Sequence, residues 1–299
     1  MAGPTFGKPP PADELHFGIV VGQHHHSWEE LREIFQWADE AGWDSAWAFD
    51  HFFSLTRDNE MGPCLEGWTL LGALAVLTRN VQIGLMVTGI THRYPAVLFK
   101  QAVTVDHVSG GRLILGVGAA WHAREHQAYG IPFPPPGTRV EMFGEAMEML
   151  RLLETQERAT FRGKHYELVE APFEPKPVFG HMPVMIGSTG RRMMRHVARY
   201  ADLWDGGGTP DEFARHGVRL NQLCAEIGRD PAEIRWSYQA GNNVVETADR
   251  FVEHVRSYAA VGVRVFLVEV PGGAPSSALR EIAERVIPEL KAEFSGVAR

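Results

Sequence analysis

The chain has 299 residues, of which 44% are hydrophobic and 22% charged, the balance of a folded globular protein. Lys and Arg number 29 against 37 Asp and Glu, and the resulting net charge of −8 argues against a nucleic-acid binder or a polybasic membrane anchor. At this length a core buries roughly 75% of the unfolded surface and needs no disulfide or metal to hold it. The two cysteines, Cys64 and Cys224, form no C-x-x-C pair, which excludes a zinc ribbon and a thioredoxin-like centre and suits a reducing cytoplasm. The first 14 residues are Pro-rich and read as a mobile tail without the features of a signal peptide. No run of about 18 apolar residues exists, so no transmembrane helix is expected.

Beyond the tail, apolar runs alternate with amphipathic stretches. Leu15–Val21 reads as a buried strand. Ser27 and Glu30 form an S-x-x-E capping box, Leu31, Ile34, Phe35 and Ala38 share one helical face, and Gly42 is the expected stop. Asp44–Asp50 is a second strand, Glu66–Arg79 a helix and Val81–Val87 a third strand. Pro95 opens a helix that ends near Ser109, and Arg112–Val117 is a fourth strand. The rhythm then breaks. Residues 119–138 read as loop, Arg139–Leu153 as helix, Phe161–Leu168 as a short hairpin around Gly163, and Pro172–Pro183 as extended chain. Alternation resumes with strand Val184–Ile186, a helix over about 190–200, strand Asp202–Asp205, helix 210–228, strand 234–241, helix 247–260, strand Val263–Val270 and helix 276–292.

Eight strands in alternation with helices predict an α/β fold with a parallel sheet, a (β/α)8 barrel filling residues 15–299 as one domain, with an insertion at about 119–182. A doubly wound sheet would want G-x-G-x-x-G after the first strand, where the chain has Gly22-Gln23-His24-His25-His26.

In such a barrel, chemistry sits where the strands end. His51 follows the second strand beside Asp50, Phe52 and Phe53; it is either a group that exchanges protons near neutral pH or a buried histidine bonded to a carbonyl. Ser188-Thr189-Gly190 opens a helix followed by Arg191 and Arg192, with Arg195 beyond. Free N–H groups and arginines there suit an anion, usually a phosphate, although an ordinary capped turn reads the same way. Gly206–Gly208 permits close backbone approach or is simply a flexible loop. Neighbouring side chains in His24, His25 and His26 do not converge readily on one ion, so no metal site is expected there; they are placed at the pocket mouth instead. Trp121 either stacks on a planar ring or fills the core. His122-Ala123-Arg124-Glu125-His126 matches H-x-x-E-H, the zinc-peptidase signature, which requires both histidines on one continuous helix.

In chain order these stretches resemble the bacterial-luciferase-like flavin and deazaflavin oxidoreductases. The matching segments are AGWDSAWAFDHF (41–52), VQIGLMVTGITHRYPAVLFKQAVTVDHVSGGRLILGVGAAWHAREHQAYGIPFPP (81–135) and MIGSTGRRMMRHVARYADLWD (185–205). They are most similar to the coenzyme F420-dependent subgroup. The resemblance implies a luciferase-like TIM barrel with an insertion after strand four, F420 as cofactor, a cytoplasmic homodimer and a small-molecule substrate. It implies His51 as proton donor, with Asp50 orienting it and touching the cofactor. It also implies a cis peptide at Thr88-Gly89 behind the ring, a ring contact from Thr91, and a ribityl-phosphate site at Thr189, Gly190, Arg192 and Met193, to which the anion reading of the helix start adds Ser188 and Arg191 as cofactor contacts. Trp121 and Arg124 are further expected cofactor contacts, and His24, His25, His26, Phe52, Phe53 and Trp121 the expected substrate wall. The sugar-phosphate dehydrogenases of the subgroup carry a catalytic Glu where this chain has Trp121, and an Asn where it has Arg124. The expected activity is therefore hydride transfer between deazaflavin C5 and an imine, enone, carbonyl or alcohol. The alternatives are an FMN-dependent monooxygenase, a non-catalytic F420-binding protein, and a zinc peptidase built on His122, Glu125 and His126.

Overall fold

The structure, a computed structural model, describes residues 14–55 and 59–295, so nearly all of the expected N-terminal tail lies outside the described residues. The strands are β1 (His16–Val20), β2 (Ser45–Ala48), β3 (Gln82–Leu85), β4 (Thr88–Gly89), β5 (Leu113–Gly118), β6 (Arg158–Arg162), β7 (Glu167–Pro172), β8 (Val184–Gly187), β9 (Leu203–Gly206), β10 (Arg235–Ala240) and β11 (Val265–Glu269). Eight of them pair in the order β3-β2-β1-β11-β10-β9-β8-β5, and β3 also pairs with β5, which closes a parallel barrel. The two-residue β4 continues along β5 above β3.

Strands buried on both faces explain the apolar runs in the sequence. Val20, Trp47, Met86, Ile114, Met185, Leu203, Val265 and Leu267 form a compact cluster separate from the larger core. They come from seven different strands or strand ends and fill the barrel interior. Two glycines make room for them. A Cβ on Gly84 would lie 2.4 Å from the Trp47 ring, and one on Gly116 would lie 2.0 Å from the Leu85 carbonyl oxygen. The larger core lies between barrel and helices, where Leu31, Ile34, Phe35 and Ala38 of α1 (Trp28–Ala41) are fully buried.

Local signals act as the sequence implies. Ser27 and Glu30 cap α1 reciprocally, and Gly42 ends it at φ 87°. Glu66 caps α2 (Gly67–Leu77) through the N–H groups of Trp68 and Thr69, and α3 (Pro95–Ser109) follows β4. At the other end of α2 the buried Arg112 guanidinium donates to the carbonyls of Ala75, Thr78, Val81 and Ser109 and to the Thr78 hydroxyl, stitching α2 to β3 and β5.

The insertion departs from expectation. Residues 119–138 are not all loop: α4 (Ala123–Tyr129) forms inside them, and α5 (Pro136–Thr155) starts earlier because Pro136 takes the first helical turn. The hairpin is longer than expected, pairing β6 with β7 from Arg158 opposite Pro172 to Arg162 opposite Glu167. Arg139 of α5 fastens the Pro-rich run, donating to Ala119 O at 3.1 Å and Pro134 O at 2.6 Å while its guanidinium lies 3.9 Å from the Phe133 ring centroid. Among the described residues no helix is long and apolar enough to cross a membrane.

Candidate active site

The segment after β2 carries the site, and two clamps fix it. Gln23 donates to Phe49 O at 2.7 Å and accepts from Phe49 N at 3.0 Å, tying the end of β1 to the end of β2. The next residue, Asp50, is buried, and Arg93 bonds both its oxygens at 2.6 and 2.8 Å. Arg93 also pairs with Glu66 at the start of α2. Burial works to raise the Asp50 pKa, but hydrogen bonds from His92 and Arg93 outweigh it and hold the carboxyl below its usual range.

His51 does not use Asp50. Its Nδ1 lies 2.9 Å from Oε2 of Glu125, a fully buried residue of α4. The other Glu125 oxygen accepts from Phe52 N at 2.5 Å. Burial again opposes ionisation, and again the bonds from His51 and Phe52 win, so the Glu125 carboxyl sits below its ordinary value. His92 Nε2 stands 3.6 Å and His122 Nδ1 3.8 Å from the same Oε2. Because Glu125 is an ionised acceptor, His51 presents N–H at Nδ1, which leaves Nε2 as the atom free to exchange a proton. Glu125, and not the expected Asp50, is therefore the carboxylate bonded to the His51 ring. The sequence neighbour is turned into the Arg93 clamp, and the actual partner comes from 74 residues away.

His51 lines a cleft of about 290 Å³ at the mouth of the barrel. Of the residues singled out from the sequence, the cleft also gathers Thr88, Gly89, Trp121, Ser188 and Met193. His92, Val87 and Arg139 join them without having been read as site residues, as do His122 and Glu125, which the sequence offered only as parts of the zinc-peptidase pattern. The non-proline cis peptide is Met86–Val87, two residues ahead of the expected Thr88-Gly89. Thr88 is instead fully buried, with its hydroxyl accepting from Trp68 Nε1 at 3.0 Å.

Other expected contacts sit elsewhere. The Thr91 hydroxyl lies 2.6 Å from His126 Nε2, and Arg124 pairs with Glu60 at 3.0 Å. His25 reaches Asn59 O at 3.1 Å, and His26 bridges Gly22 O and Gly272 N, so both serve loop structure rather than the cleft wall. His24 stacks on Phe49 and approaches His51 at 6.0 Å between ring centroids, and burial lowers its pKa to about 4. Phe52 packs on His92 and Tyr129, and Phe53 on His122 and Tyr129. Neither phenylalanine, expected in the substrate wall, lines the cleft. Cys64 donates to His51 O at 3.4 Å, and burial pushes its thiol up to about 12.

The zinc-peptidase geometry is absent. His122 is only the N-cap of α4, and both His126 nitrogens are engaged, Nδ1 by His122 O at 2.9 Å and Nε2 by Thr91. One ligand-type atom from each of His51, His122 and Glu125 lies within 4.8 Å of the others, but Glu125 is already committed to His51 and Phe52.

At the far end of the cleft, the segment 188–192 leads into α6 (Met193–Tyr200), and no side chain caps that helix. Ser188 is fixed by Trp204 Nε1 on its carbonyl at 2.8 Å, and its hydroxyl accepts from Gly190 N at 3.1 Å. Arg192 turns toward Glu141 at 3.5 Å. Thr189 and Arg191 open instead on a second hollow, which they share with His216 and Arg219 of α7 (Pro210–Glu226). The His216 Nδ1 is buried there without a partner.

The family model described as luciferase-like monooxygenase matches residues 15–290. An F420-dependent glucose-6-phosphate dehydrogenase of Amycolatopsis mediterranei is 34% identical over 82% of this chain and 69% of its own length. An uncharacterized protein of Mycobacterium tuberculosis is 36% identical over 59% of this chain, and the match spans 62% of that protein's length. Among solved structures, an F420-dependent secondary alcohol dehydrogenase in complex with an F420-acetone adduct superposes with a TM-score of 0.78 at 18% identity, covering 92% of this chain and 98% of the other. A long-chain alkane monooxygenase superposes at 0.76 and 13% identity, covering 96% and 92%. Both show the shared barrel.

Proposed function

The chain belongs to the luciferase-like monooxygenase family, and from that premise we propose that it is a coenzyme F420-dependent oxidoreductase acting on a small organic substrate. The observation that carries the reading is the continuity from a His51–Glu125 pair, through a cleft bounded by Val87 and Gly89, to an uncapped helix start flanked by a basic hollow. The relative named as an F420-dependent dehydrogenase supports it.

The residues fit the group. Val87 and Gly89 in the cleft lining offer a floor for a flat ring. The N–H groups preceding α6 offer a phosphate site. Arg191 and Arg219 offer positive charge for further carboxylates. F420 carries an oligoglutamate tail and FMN does not, so this hollow favours the deazaflavin. When bound, F420 supplies a two-electron hydride donor or acceptor.

The protein's own share is proton management and positioning. Glu125 holds His51 Nδ1–H, fixes the ring and stabilises it once protonated. His51 Nε2 then gives a proton to, or takes one from, the substrate heteroatom. The Asp50–Arg93–Glu66 clamp keeps the His51 loop in place while this happens. Trp121 and His122 border the cleft beside His51 and limit water access.

Titration of the purified protein with F420 and with FMN, read by quenching of its tryptophan fluorescence, tests the reading. Tighter binding of F420, weakened in Arg219→Ala and not for a tail-less deazaflavin, is the expected result. Tighter FMN binding would replace it with an oxygen-using monooxygenase.

A further inference from the structure

The cleft beside His51 continues into a second lobe of about 340 Å³, which shares Met86, Val87, Trp121, Gly187 and Ser188 with it. The far wall of this lobe is Asp205, Gly206, Gly207 and Gln239, from the ends of β9 and β10. Three features of the lobe point to one chemistry.

The first is the Asp205 carboxyl. It accepts from Ser237 Oγ at 3.1 Å and from the Gln239 backbone, and among the described residues no basic side chain pairs with it. Burial raises its pKa to about 7, as expected for a carboxyl removed from water without a cation beside it. The second is the lining, which contains no Lys, Arg or His, in contrast to the basic hollow on the other side of Thr189. The third is Trp121, an indole left 66% exposed over the opening. A buried carboxyl and an aromatic ring lining one pocket are the means by which proteins hold small organic cations. Room for the ligand is present, because a Cβ on Gly207 would meet nothing within 4 Å.

We propose that this lobe is the substrate subsite and that it takes a nitrogen cation, an iminium or its ammonium counterpart, held between Asp205 and Trp121. The proposal rests on reading the adjoining cleft as the F420 site. A hydride supplied by the reduced coenzyme and a proton supplied by His51 would convert an iminium to an ammonium of the same charge, so Asp205 would face a cation on both sides of the reaction. An anionic substrate such as a sugar phosphate meets no countercharge in this lobe.

The test is equilibrium binding to the F420-loaded protein by titration calorimetry. The probes are tetrahydroisoquinolinium, its uncharged oxygen isostere isochroman, and phenylacetate. The cation should bind about tenfold or more tighter than isochroman. Asp205→Asn should remove that preference while leaving the F420 dissociation constant unchanged, which also shows that the variant is folded. Trp121→Leu, at an exposed position, should weaken the cation several-fold more than isochroman. Equal or tighter binding of isochroman or phenylacetate, no binding of the cation, or a preference that survives Asp205→Asn would overturn the proposal. Failure to bind F420 with the cation preference intact would instead remove the F420 reading and leave the cation subsite standing.

Discussion

Glu125 accepts two hydrogen bonds from consecutive residues, the ring of His51 at 2.9 Å and the backbone N–H of Phe52 at 2.5 Å. One carboxylate therefore sets both the tautomer of the histidine and the path of the chain that carries it. Glu125→Gln keeps an acceptor for Phe52 but loses the charge that stabilises protonated His51. Turnover with reduced F420 should fall about 10- to 100-fold, with a displaced pH–rate profile and an unchanged F420 dissociation constant. His51→Ala should lose about 10²–10⁴ in turnover. Full activity with an unaltered profile in either variant would remove the pair from the mechanism.

The Asp50 clamp makes a stability prediction. Its carboxylate has no exposed side-chain surface and relies on the Arg93 fork. Arg93→Met strands that charge and should cost about 3–5 kcal/mol in urea unfolding. Arg93→Lys should recover only part of the loss, since an ammonium cannot span both oxygens. A midpoint unchanged in Arg93→Met would show the clamp to be dispensable.

Barrel closure depends on the absence of a side chain at position 116. A Cβ there would lie 2.0 Å from Leu85 O, a backbone atom of the facing strand. Gly116→Ala should destabilise by about 3 kcal/mol or more, or abolish soluble expression. Gly72→Ala, where an added Cβ meets nothing within 4 Å on α2, is the control and should be neutral or stabilising.

Asp205 links stability to pH with a definite sign. Its folded pKa of about 7 lies above the ordinary 3.8, so the folded state holds a proton that the unfolded chain has already released. The associated stability is complete below about pH 4 and is lost as pH rises through 7. Asp205→Asn mimics the protonated form. Its stability relative to the parent should therefore rise between pH 5 and pH 8, by on the order of 2 kcal/mol after allowing for partial exposure. Melting temperatures of both proteins across that range provide the check, and a constant difference would mean that Asp205 ionises normally.

The barrel was readable because each strand is buried on both faces and each helix on one, so the periodicity switches visibly between them. The α1 cap at Ser27 and the stop at Gly42 rest on local chemistry and needed no tertiary knowledge. α4 escaped for the opposite reason. Its seven residues sit between Ala119-Ala120 and a Pro-rich run and lack an apolar stripe; what anchors the helix is Glu125 reaching a histidine 74 residues away. The same long-range contact explains why Asp50, adjacent in sequence, looked like the partner of His51. Glu125 did carry a signal in the H-x-x-E-H pattern, which marked a chemically committed glutamate while misassigning its partners. Asp205 lay at a strand end noted from the sequence, but its lack of a cation emerges only when β8, β9 and β10 are assembled.

The thiol under the His51 loop has a consequence for how the protein meets oxidants. Sulfur attacks peroxides and mixed disulfides as the thiolate, and at a pKa of about 12 Cys64 is almost wholly a neutral thiol at physiological pH. Cys224 is fully buried and its pKa is raised as well. The group that hydrogen-bonds the carbonyl of His51 is thus chemically quiet. A cell under peroxide stress would leave that hydrogen bond unmodified, and alkylating reagents at neutral pH would find no fast-reacting sulfur beside the His51 loop.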